Sequence, residues 1–203
     1  MDYKKHKEGV PTMIREEWFP TLIYHDMINV DGIEEVSQDI KKHQDGVSKS
    51  NKGGGWQSDN VVDDKRLTHL KLIIEEKSRH IWKDMFPDIQ GRFKISNMWI
   101  NINNKKSYNG CHNHPNSDLS GNLYVKTHEN CGRIFFQDPR IVHRMNETSK
   151  FNIKTRLTFT EISYVPEDGK ILFFPNWINH DVEPNVTDKD RISIAFNMDI
   201  EYV

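Results

Sequence analysis

Few features of this sequence point to secretion or to a membrane. Two cysteines in 203 residues, Cys111 and Cys131, are too few for the dense disulfide framework of a small secreted domain. No apolar run approaches the roughly 18 residues that a membrane-spanning helix needs. The segment MDYKKHKEG at the start is charged and has no apolar signal region. We therefore expect two free thiols, no membrane partner and a cytoplasmic location.

The chain also lacks an excess of charge of either sign. Lys and Arg total 28 and Asp and Glu total 30, which gives a formal net charge of -2. This balance, without a basic stripe in the sequence, gives no reason to expect a nucleic-acid partner. Five Trp, ten Phe and six Tyr nevertheless supply large apolar surfaces for burial. We therefore expect residues 1–203 to form a single folded domain.

The first 90 residues are predicted to be mostly helical. Apolar residues recur at helical spacing from about Asp31, the predicted first residue of a helix, to Gly46, which is predicted to end it. A longer amphipathic helix is predicted over residues 62–85. An apolar segment interrupted by proline, residues 17–24, predicts an edge strand before both helices.

After Pro87 the hydrophobic pattern changes from helical spacing to alternation. Six alternating segments predict strands, at residues 93–103, 119–125, 132–136, 156–165, 170–174 and 191–203. Helices followed by antiparallel strands predict an α+β fold that is mainly β. We expect a β-sandwich or barrel core over residues 91–203, with the amphipathic helices of residues 1–90 packed on its outside.

Two of the predicted strands have one apolar face and one polar face. In the last strand the polar face carries Arg191, Ser193, Ala195 and Asn197, and in the first barrel strand the same face carries Trp99, Asn101 and Asn103. If the helices cover the apolar faces, the polar faces must line a cavity that binds something polar and charged. The alternative is a polar face turned to solvent, which is commoner among antiparallel sheets. The placement of the histidines favours the cavity.

Three of the ten histidines stand in a pattern typical of metal ligands. His112 and His114 alternate just before a predicted strand, so both imidazoles are expected on one face. His180 follows an apolar strand 68 residues after His112, and Arg191 comes eleven residues after His180. For the other seven histidines, solvated, capping or turn positions are sufficient explanations.

A near-adjacent pair of ligands, a distant third histidine and an arginine in the next strand form the layout of non-haem iron oxygenases. In such a site the metal keeps open positions for a co-substrate and for dioxygen. An arginine side chain offers two parallel donors to a carboxylate. Arg191, with the hydroxyl of Ser193 two residues on, therefore fits the distal carboxylate of 2-oxoglutarate.

Several segments along nearly the whole chain carry a family resemblance. They are residues 18–21 (WFPT), 54–58 (GGWQS), 112–121 (HNHPNSDLSG), 123–125 (LYV), 136–140 (FQDPR), 173–180 (FFPNWINH) and 191–197 (RISIAFN). In their order and spacing, the chain resembles a family of 2-oxoglutarate and iron(II) oxygenases of bacteria and marine phages, related to the prolyl hydroxylase-like branch. If a phage encodes the chain, the expected location is the cytoplasm of its host cell.

The resemblance implies a jelly-roll (double-stranded β-helix) barrel and a specific reaction. Fe(II) and dioxygen would convert 2-oxoglutarate to succinate and hydroxylate a substrate, which is either a small molecule or a protein side chain. By analogy Arg191 and Ser193 would bind the 2-oxoglutarate carboxylate, with a further hydrogen bond from Tyr124 or Asn101. A homodimer is also allowed.

The implied metal site departs from the family pattern at one position. His112 and His180 match the histidines of a His-x-Asp and distal His triad, but His114 stands where the Asp is expected. Either three imidazoles hold the iron and serve as the catalytic set, or Asp118 supplies a carboxylate, or the ligand set is incomplete. Alternation aims His114 with His112, whereas Asp118 lies in the following turn, so the residues favour His114. Three neutral ligands would leave more positive charge on the metal.

Two other functions are compatible with these residues. A cupin-like metalloprotein, an isomerase or a dioxygenase, would use the three histidines without 2-oxoglutarate. A jelly-roll module for binding or assembly would not use a metal. Trp56, Trp177 and residues 137–140 are weaker candidates for the mouth of the barrel, because structural roles in the core or in a turn explain them at least as well.

Overall fold

The computed structural model describes residues 19–46, 51–52, 54–140, 155 and 158–202, and these form two α-helices and eleven strands. The helices are α1 (Ile33–His43) and α2 (Thr68–Met85), and a short 3-10 turn (Lys65–Leu67) leads into α2. The strands are β1 (Tyr24–Met27), β2 (Asn51–Lys52), β3 (Trp56–Gln57), β4 (Gly91–Asn103), β5 (Tyr108–His112), β6 (Leu119–Lys126), β7 (Ile134–Gln137), β8 (Glu161–Tyr164), β9 (Lys170–Pro175), β10 (His180–Val182) and β11 (Arg191–Tyr202).

The strands form two antiparallel sheets, so the fold is mainly β with two helices, as the alternation predicts. The larger sheet has the order β1-β9-β6-β11-β4-β3, and the smaller has the order β2-β5-β10-β7-β8. The longest pairing joins β11 to β4, from Arg191 opposite Asn103 to Tyr202 opposite Gly91. This pairing sets the register of the polar face on which the candidate site is built.

The helices pack on the outer face of the larger sheet. Side chains of α2 such as Leu70, Ile74 and Ile81 are buried in one cluster with Ile40 of α1. The same cluster takes its sheet residues from the apolar faces of the strands, among them Met98, Ile100, Ile102, Ile192, Ile194, Phe196 and Met198. The predicted division of β4 and β11 into an apolar helix-facing side and a polar inner side is therefore correct.

A second, smaller cluster lies between the two sheets. It combines Tyr124 of β6 and Phe174 of β9 with Ile134 and Phe136 of β7 in the smaller sheet. Because both sheets contribute to it, this cluster fixes how the polar face of the larger sheet stands opposite the smaller sheet. The two free cysteines do not bridge: Cys131 is buried and Cys111 is exposed.

Four predicted elements need correction. The helix predicted over residues 62–85 begins only at Thr68, after the 3-10 turn. The edge strand predicted over residues 17–24 begins only at Tyr24, where β1 pairs with β9; Phe19 has a φ of 57° and Pro20 has no N–H, so the chain bends before the strand. Residues 17–18 lie outside the described residues. Residues 156–157, the start of the strand predicted over 156–165, also lie outside the described residues. The part of that predicted strand that is paired is β8 (Glu161–Tyr164). The first helix begins at Ile33 after Gly32, without a side-chain cap from Asp31. In the described part of the chain, no helix is both long and apolar enough to cross a membrane.

Candidate metal centre

His112, His114 and His180 meet between the two sheets. His112 is the last residue of β5 and His180 the first of β10, and these two stand directly opposite each other in the pairing of the two strands. His114, two residues beyond β5, donates its backbone N–H to the carbonyl of Asn176 at 2.8 Å. One ring nitrogen from each of the three lies within 4.8 Å of the others. The sequence-predicted histidines therefore form one candidate metal site.

Backbone carbonyls determine which nitrogen two of the imidazoles can offer. Nδ1 of His112 lies 2.6 Å from the carbonyl oxygen of Gly110, and Nδ1 of His180 lies 3.1 Å from that of Ile178. A carbonyl oxygen only accepts, so Nδ1 must carry the proton and Nε2 keeps its lone pair. Such a hydrogen bond to the far ring nitrogen is the usual partner of a metal-bound histidine.

Burial keeps two of the three imidazoles neutral, those of His180 and His114. It lowers the pKa of His180 to about 3, with further lowering from the nearby His112. It lowers the pKa of His114 to about 4, again with a contribution from His112. At neutral pH these two rings are therefore unprotonated, which is the state that binds a metal ion.

Asp118 does not join the cluster. Its carboxylate accepts a hydrogen bond from the backbone N–H of Ile200 at 2.7 Å, and its own N–H bonds to the carbonyl of Met198. These bonds hold Asp118 beside the far half of β11, away from Arg191 at the strand's beginning. Of the two alternatives for the third ligand, His114 is the one that the fold brings to His112 and His180.

Arg191 places a buried positive charge in the same space. Its Nη1 donates to the carbonyl of Cys131 at 2.6 Å and to that of Gly132 at 3.1 Å. Burial lowers the pKa of the guanidinium, but an arginine remains charged in proteins. Among the described residues, no Asp or Glu pairs with it. A buried cation without a carboxylate is costly, so this position is suited to an anionic ligand.

The other residues predicted to bind a carboxylate lie around Arg191. A cavity of about 220 Å³ between the sheets is lined by Arg191, Ser193, Tyr124 and Asn101 together with the three histidines. The hydroxyl of Tyr124 is buried and has no hydrogen-bond partner in the described part of the molecule. Burial also raises the pKa of this phenol well above its ordinary value, so it stays protonated and can donate.

The cavity also contains residues that were not predicted as site residues. Asn109 of β5 and Asn122 of β6 add amide groups, and Trp99 and Phe174 form aromatic walls beside His114. The weaker candidates Trp56, Trp177 and residues 137–140 do not line it. Trp56 packs against the helix-covered core, and Trp177 is half exposed.

Comparison of the sequence with protein families gives one relevant match. Residues 97–197 match the model of the family described as "Putative 2OG-Fe(II) oxygenase". The matched range contains all three histidines as well as Arg191 and Ser193. No curated protein matches the sequence.

Solved structures give similarities of fold. One is an oxidoreductase of the 2OG-Fe(II) oxygenase family from Burkholderia pseudomallei, with a TM-score of 0.57 and 13% identity over 86% of this chain and 84% of that one. Another is a prolyl-4-hydroxylase from Pseudomonas putida, with a TM-score of 0.59 and 9% identity over 88% and 92%. A third is HygX from Streptomyces hygroscopicus with nickel and 2-oxoglutarate bound, with a TM-score of 0.59 and 12% identity over 88% and 83%.

Proposed function

We propose that this chain, whose residues 97–197 match the model of the 2OG-Fe(II) oxygenase family, is an iron(II)- and 2-oxoglutarate-dependent dioxygenase that hydroxylates its substrate. One observation carries the proposal. Three imidazoles and a buried guanidinium without a carboxylate partner line the same cavity, among the described residues. The first group suits a divalent metal and the second suits a carboxylate, and 2-oxoglutarate bound to iron needs both.

The residues present fit the metal. Imidazole nitrogen is a good ligand for iron, and three protein ligands leave open positions for a co-substrate and dioxygen. We assign His112, His114 and His180 as the ligands, with Nε2 of His112 and of His180 facing the ion because their Nδ1 atoms are held by carbonyls. All three ligands are neutral, so the charge of the ion is not offset by a protein carboxylate.

The residues present also fit 2-oxoglutarate. Arg191 would bind its distal carboxylate, and the unpartnered hydroxyl of Tyr124 would donate to the same group. Ser193 follows on the same strand face, opposite Asn101 on one side and Tyr124 on the other. A buried donor without a partner costs free energy in the empty protein, and a bound carboxylate removes that cost.

Iron and 2-oxoglutarate, when bound, would supply the oxidising power: one oxygen atom of dioxygen would enter succinate, with release of carbon dioxide, and the other would enter the substrate. The protein's residues position the reactants for this chemistry. Arg191 and Tyr124 fix one end of 2-oxoglutarate, and the histidines fix the ion. Trp99, Phe174 and Ile134 wall the cavity and keep water from the reacting groups.

We also propose that the two sheets form a jelly roll. The eight strands from β4 to β11 divide equally, with the order β9-β6-β11-β4 in one sheet and β5-β10-β7-β8 in the other. The chain passes from one sheet to the other at every step except from β7 to β8 and so alternates as a jelly roll does. In this proposal residues 1–203 form one oxygenase domain, with residues 1–90 as support and residues 91–203 as the core.

The substrate is proposed only as a class. A small molecule or a protein side chain fits a cavity walled by aromatic rings and three amides, those of Asn101, Asn109 and Asn122. A nucleic-acid substrate is not favoured, because the formal charge of -2 offers no basic surface overall. A homodimer remains compatible with the proposal.

Formation of succinate tests the proposed function. Protein in amounts comparable to 2-oxoglutarate is supplied with Fe(II) and air, and succinate is measured. We expect succinate that depends on both iron and dioxygen, and none from His180→Ala. His69→Ala, which changes an exposed histidine of α2, should behave as the wild type. Metal binding without any consumption of 2-oxoglutarate would favour a cupin-like activity instead.

A further inference from the structure

The candidate metal centre contains no acidic side chain. In the part of the chain that the structure describes, the groups close enough to share one ion are the imidazoles of His112, His114 and His180, without any Asp or Glu. No described Asp or Glu lines the cavity around them either. Asp181 follows His180 in β10, but its carboxylate accepts a hydrogen bond from the side chain of Gln137. The protein therefore offers an ion in this site neutral nitrogen ligands only.

His114 is the residue that makes the ligand set wholly nitrogen, and the fold holds it firmly. Its backbone N–H donates to the carbonyl of Asn176 at 2.8 Å. Its ring stacks on the ring of His180, with the centres 5.1 Å apart and the planes inclined by 27°. The rings of Trp99 and Phe174 lie beside it, with centres 5.8 and 6.4 Å away. The pocket is therefore shaped around an imidazole at this position.

The cavity also contains a buried positive charge. The guanidinium of Arg191 lines the same space as the three histidines, and no described carboxylate pairs with it. A cation in a buried space repels a second cation more strongly than it would in water. This repulsion acts on every divalent ion alike. The affinity of the site must therefore come from the bonds between the ion and the imidazole nitrogens.

The strength of such bonds differs between metal ions. Imidazole nitrogen suits ions such as Fe(II), Ni(II) and Zn(II), whereas Mg(II) and Mn(II) prefer carboxylate oxygen and water. A carboxylate ligand attracts every divalent ion through its charge and so reduces the difference between the two groups. A site without a carboxylate keeps the full difference.

We propose that His114 makes the site selective for nitrogen-preferring divalent ions, so that it binds Fe(II) well and binds Mn(II) and Mg(II) poorly. His114 is thus a specificity-determining residue in addition to being a ligand. The proposal rests on the proposed function for the three histidines as ligands, but it does not require 2-oxoglutarate. For an oxygenase the selection matters, because Mg(II) would block the site without supporting an oxidation.

The experiment compares two ions in the wild type, His114→Asp and His114→Glu. Dissociation constants of the metal-free proteins for Co(II), which follows Fe(II) in the usual order of affinity, and for Mn(II) are measured by competition with a coloured chelator. The ratio of the Mn(II) constant to the Co(II) constant is the quantity of interest, because a damaged site would weaken both ions and leave the ratio unchanged. We expect at least about a tenfold lower ratio in the carboxylate variants.

Asn113→Asp is the matched control. It adds a carboxylate between His112 and His114, at a position where the native side chain bonds to Asn179 at 3.0 Å and does not line the cavity. The charge near the site changes, but the ligand atoms do not. Both ions should gain affinity by a similar factor, so the ratio should stay within about threefold of the wild-type value. A decrease as large as in His114→Asp would show that overall charge sets the preference and would overturn the proposal.

The remaining outcomes also decide the question. A wild-type ratio in a carboxylate variant that still binds Co(II) would overturn the proposal and leave the proposed function intact. If neither carboxylate variant binds Co(II), the wild type decides alone: a ratio above about a hundredfold supports selection by the imidazoles, and a lower ratio overturns it. A wild type that binds neither ion would contradict this proposal and the proposed function together.

Discussion

His112 and His180 stand directly opposite each other in the pairing of β5 with β10, and the Nδ1 of each ring bonds to the carbonyl of the residue two positions earlier in the chain. The two rings come from distant parts of the sequence, and each is oriented by the same type of local hydrogen bond to the backbone. Their ring centres lie 4.3 Å apart. This arrangement leaves Nε2 of each ring as the nitrogen available to an ion.

The metal stoichiometry should depend on the histidines and not on Asp118. We expect His180→Ala and His114→Ala to reduce bound Fe(II) from one ion per chain to well below that value, because two imidazoles hold an ion far less tightly than three. Asp118→Asn should retain the ion, since its carboxylate bonds to the backbone of β11. Metal analysis after dialysis measures this. Loss of iron from Asp118→Asn with retention in His114→Ala would reverse the assignment of the third ligand.

Gly132 is expected to be required for the position of Arg191. Its φ is +96°, and a Cβ atom there would lie 2.3 Å from the carbonyl oxygen of Glu183 and 2.8 Å from Nη1 of Arg191. Gly132→Ala should therefore destabilise the fold by more than about 1 kcal/mol and raise the Kd for 2-oxoglutarate. Denaturant unfolding and a binding titration measure the two effects.

A substitution at Gly32 separates the effect of backbone strain from the effect of the contact with Arg191. Gly32 also has a positive φ, +76°, but a Cβ atom there would meet nothing within 4 Å. Gly32→Ala thus measures the cost of the backbone conformation alone and should leave 2-oxoglutarate binding intact. Equal effects of the two substitutions on binding would show that contact with Arg191 is unimportant.

The stability of the metal-free protein should fall in mild acid. The pKa of His180 is about 3 and that of His114 about 4 in the fold, whereas histidine in an unfolded chain titrates near pH 6.5. Between these values the unfolded chain binds more protons than the folded one, so the free energy of unfolding decreases as the pH falls from about 6.5 towards 4. The expected slope is about 1.4 kcal/mol per pH unit for each such histidine.

Urea unfolding at pH 7, 6 and 5 measures this slope. His180→Leu removes one of the two groups, so its stability should depend less steeply on pH across the same range. An identical slope in the wild type and in His180→Leu would mean that His180 does not remain neutral in the folded protein.

Much of the site could be predicted from strict alternation. In β11 and β4 the period of two residues assigns every side chain to one face, so Arg191, Ser193 and Asn101 were predicted on the polar side and do line the cavity. The apolar side was predicted equally well for β11 and for β4 from Met98 to Ile102. Before Asn97 the register of β4 shifts, so Phe93 and Ile95 join the same apolar core. In strands as long as β11, the faces of the side chains can be predicted from the sequence without knowledge of the tertiary structure.

The short strands that hold the metal ligands could not be predicted in this way. β5 has five residues and β10 only three, and their sequences, YNGCH and HDV, contain glycine, asparagine and aspartate, which are typical of loops. They are strands because the pairing of β10 with both β5 and β7 holds them in place. Asn109 and Asn122 were missed for a similar reason, since an amide that faces a cavity and one that faces solvent look alike in sequence.

An anaerobic titration of the iron-loaded protein with 2-oxoglutarate tests the central claim most directly, that three histidines and Arg191 together bind one iron and one 2-oxoglutarate. The account predicts a weak visible absorption band that saturates at one 2-oxoglutarate per chain in the wild type. In Arg191→Leu the iron should remain and the band should require at least about a hundredfold more 2-oxoglutarate, because a charge-assisted pair of hydrogen bonds is lost. The same saturation curve in Arg191→Leu and in the wild type would contradict the account.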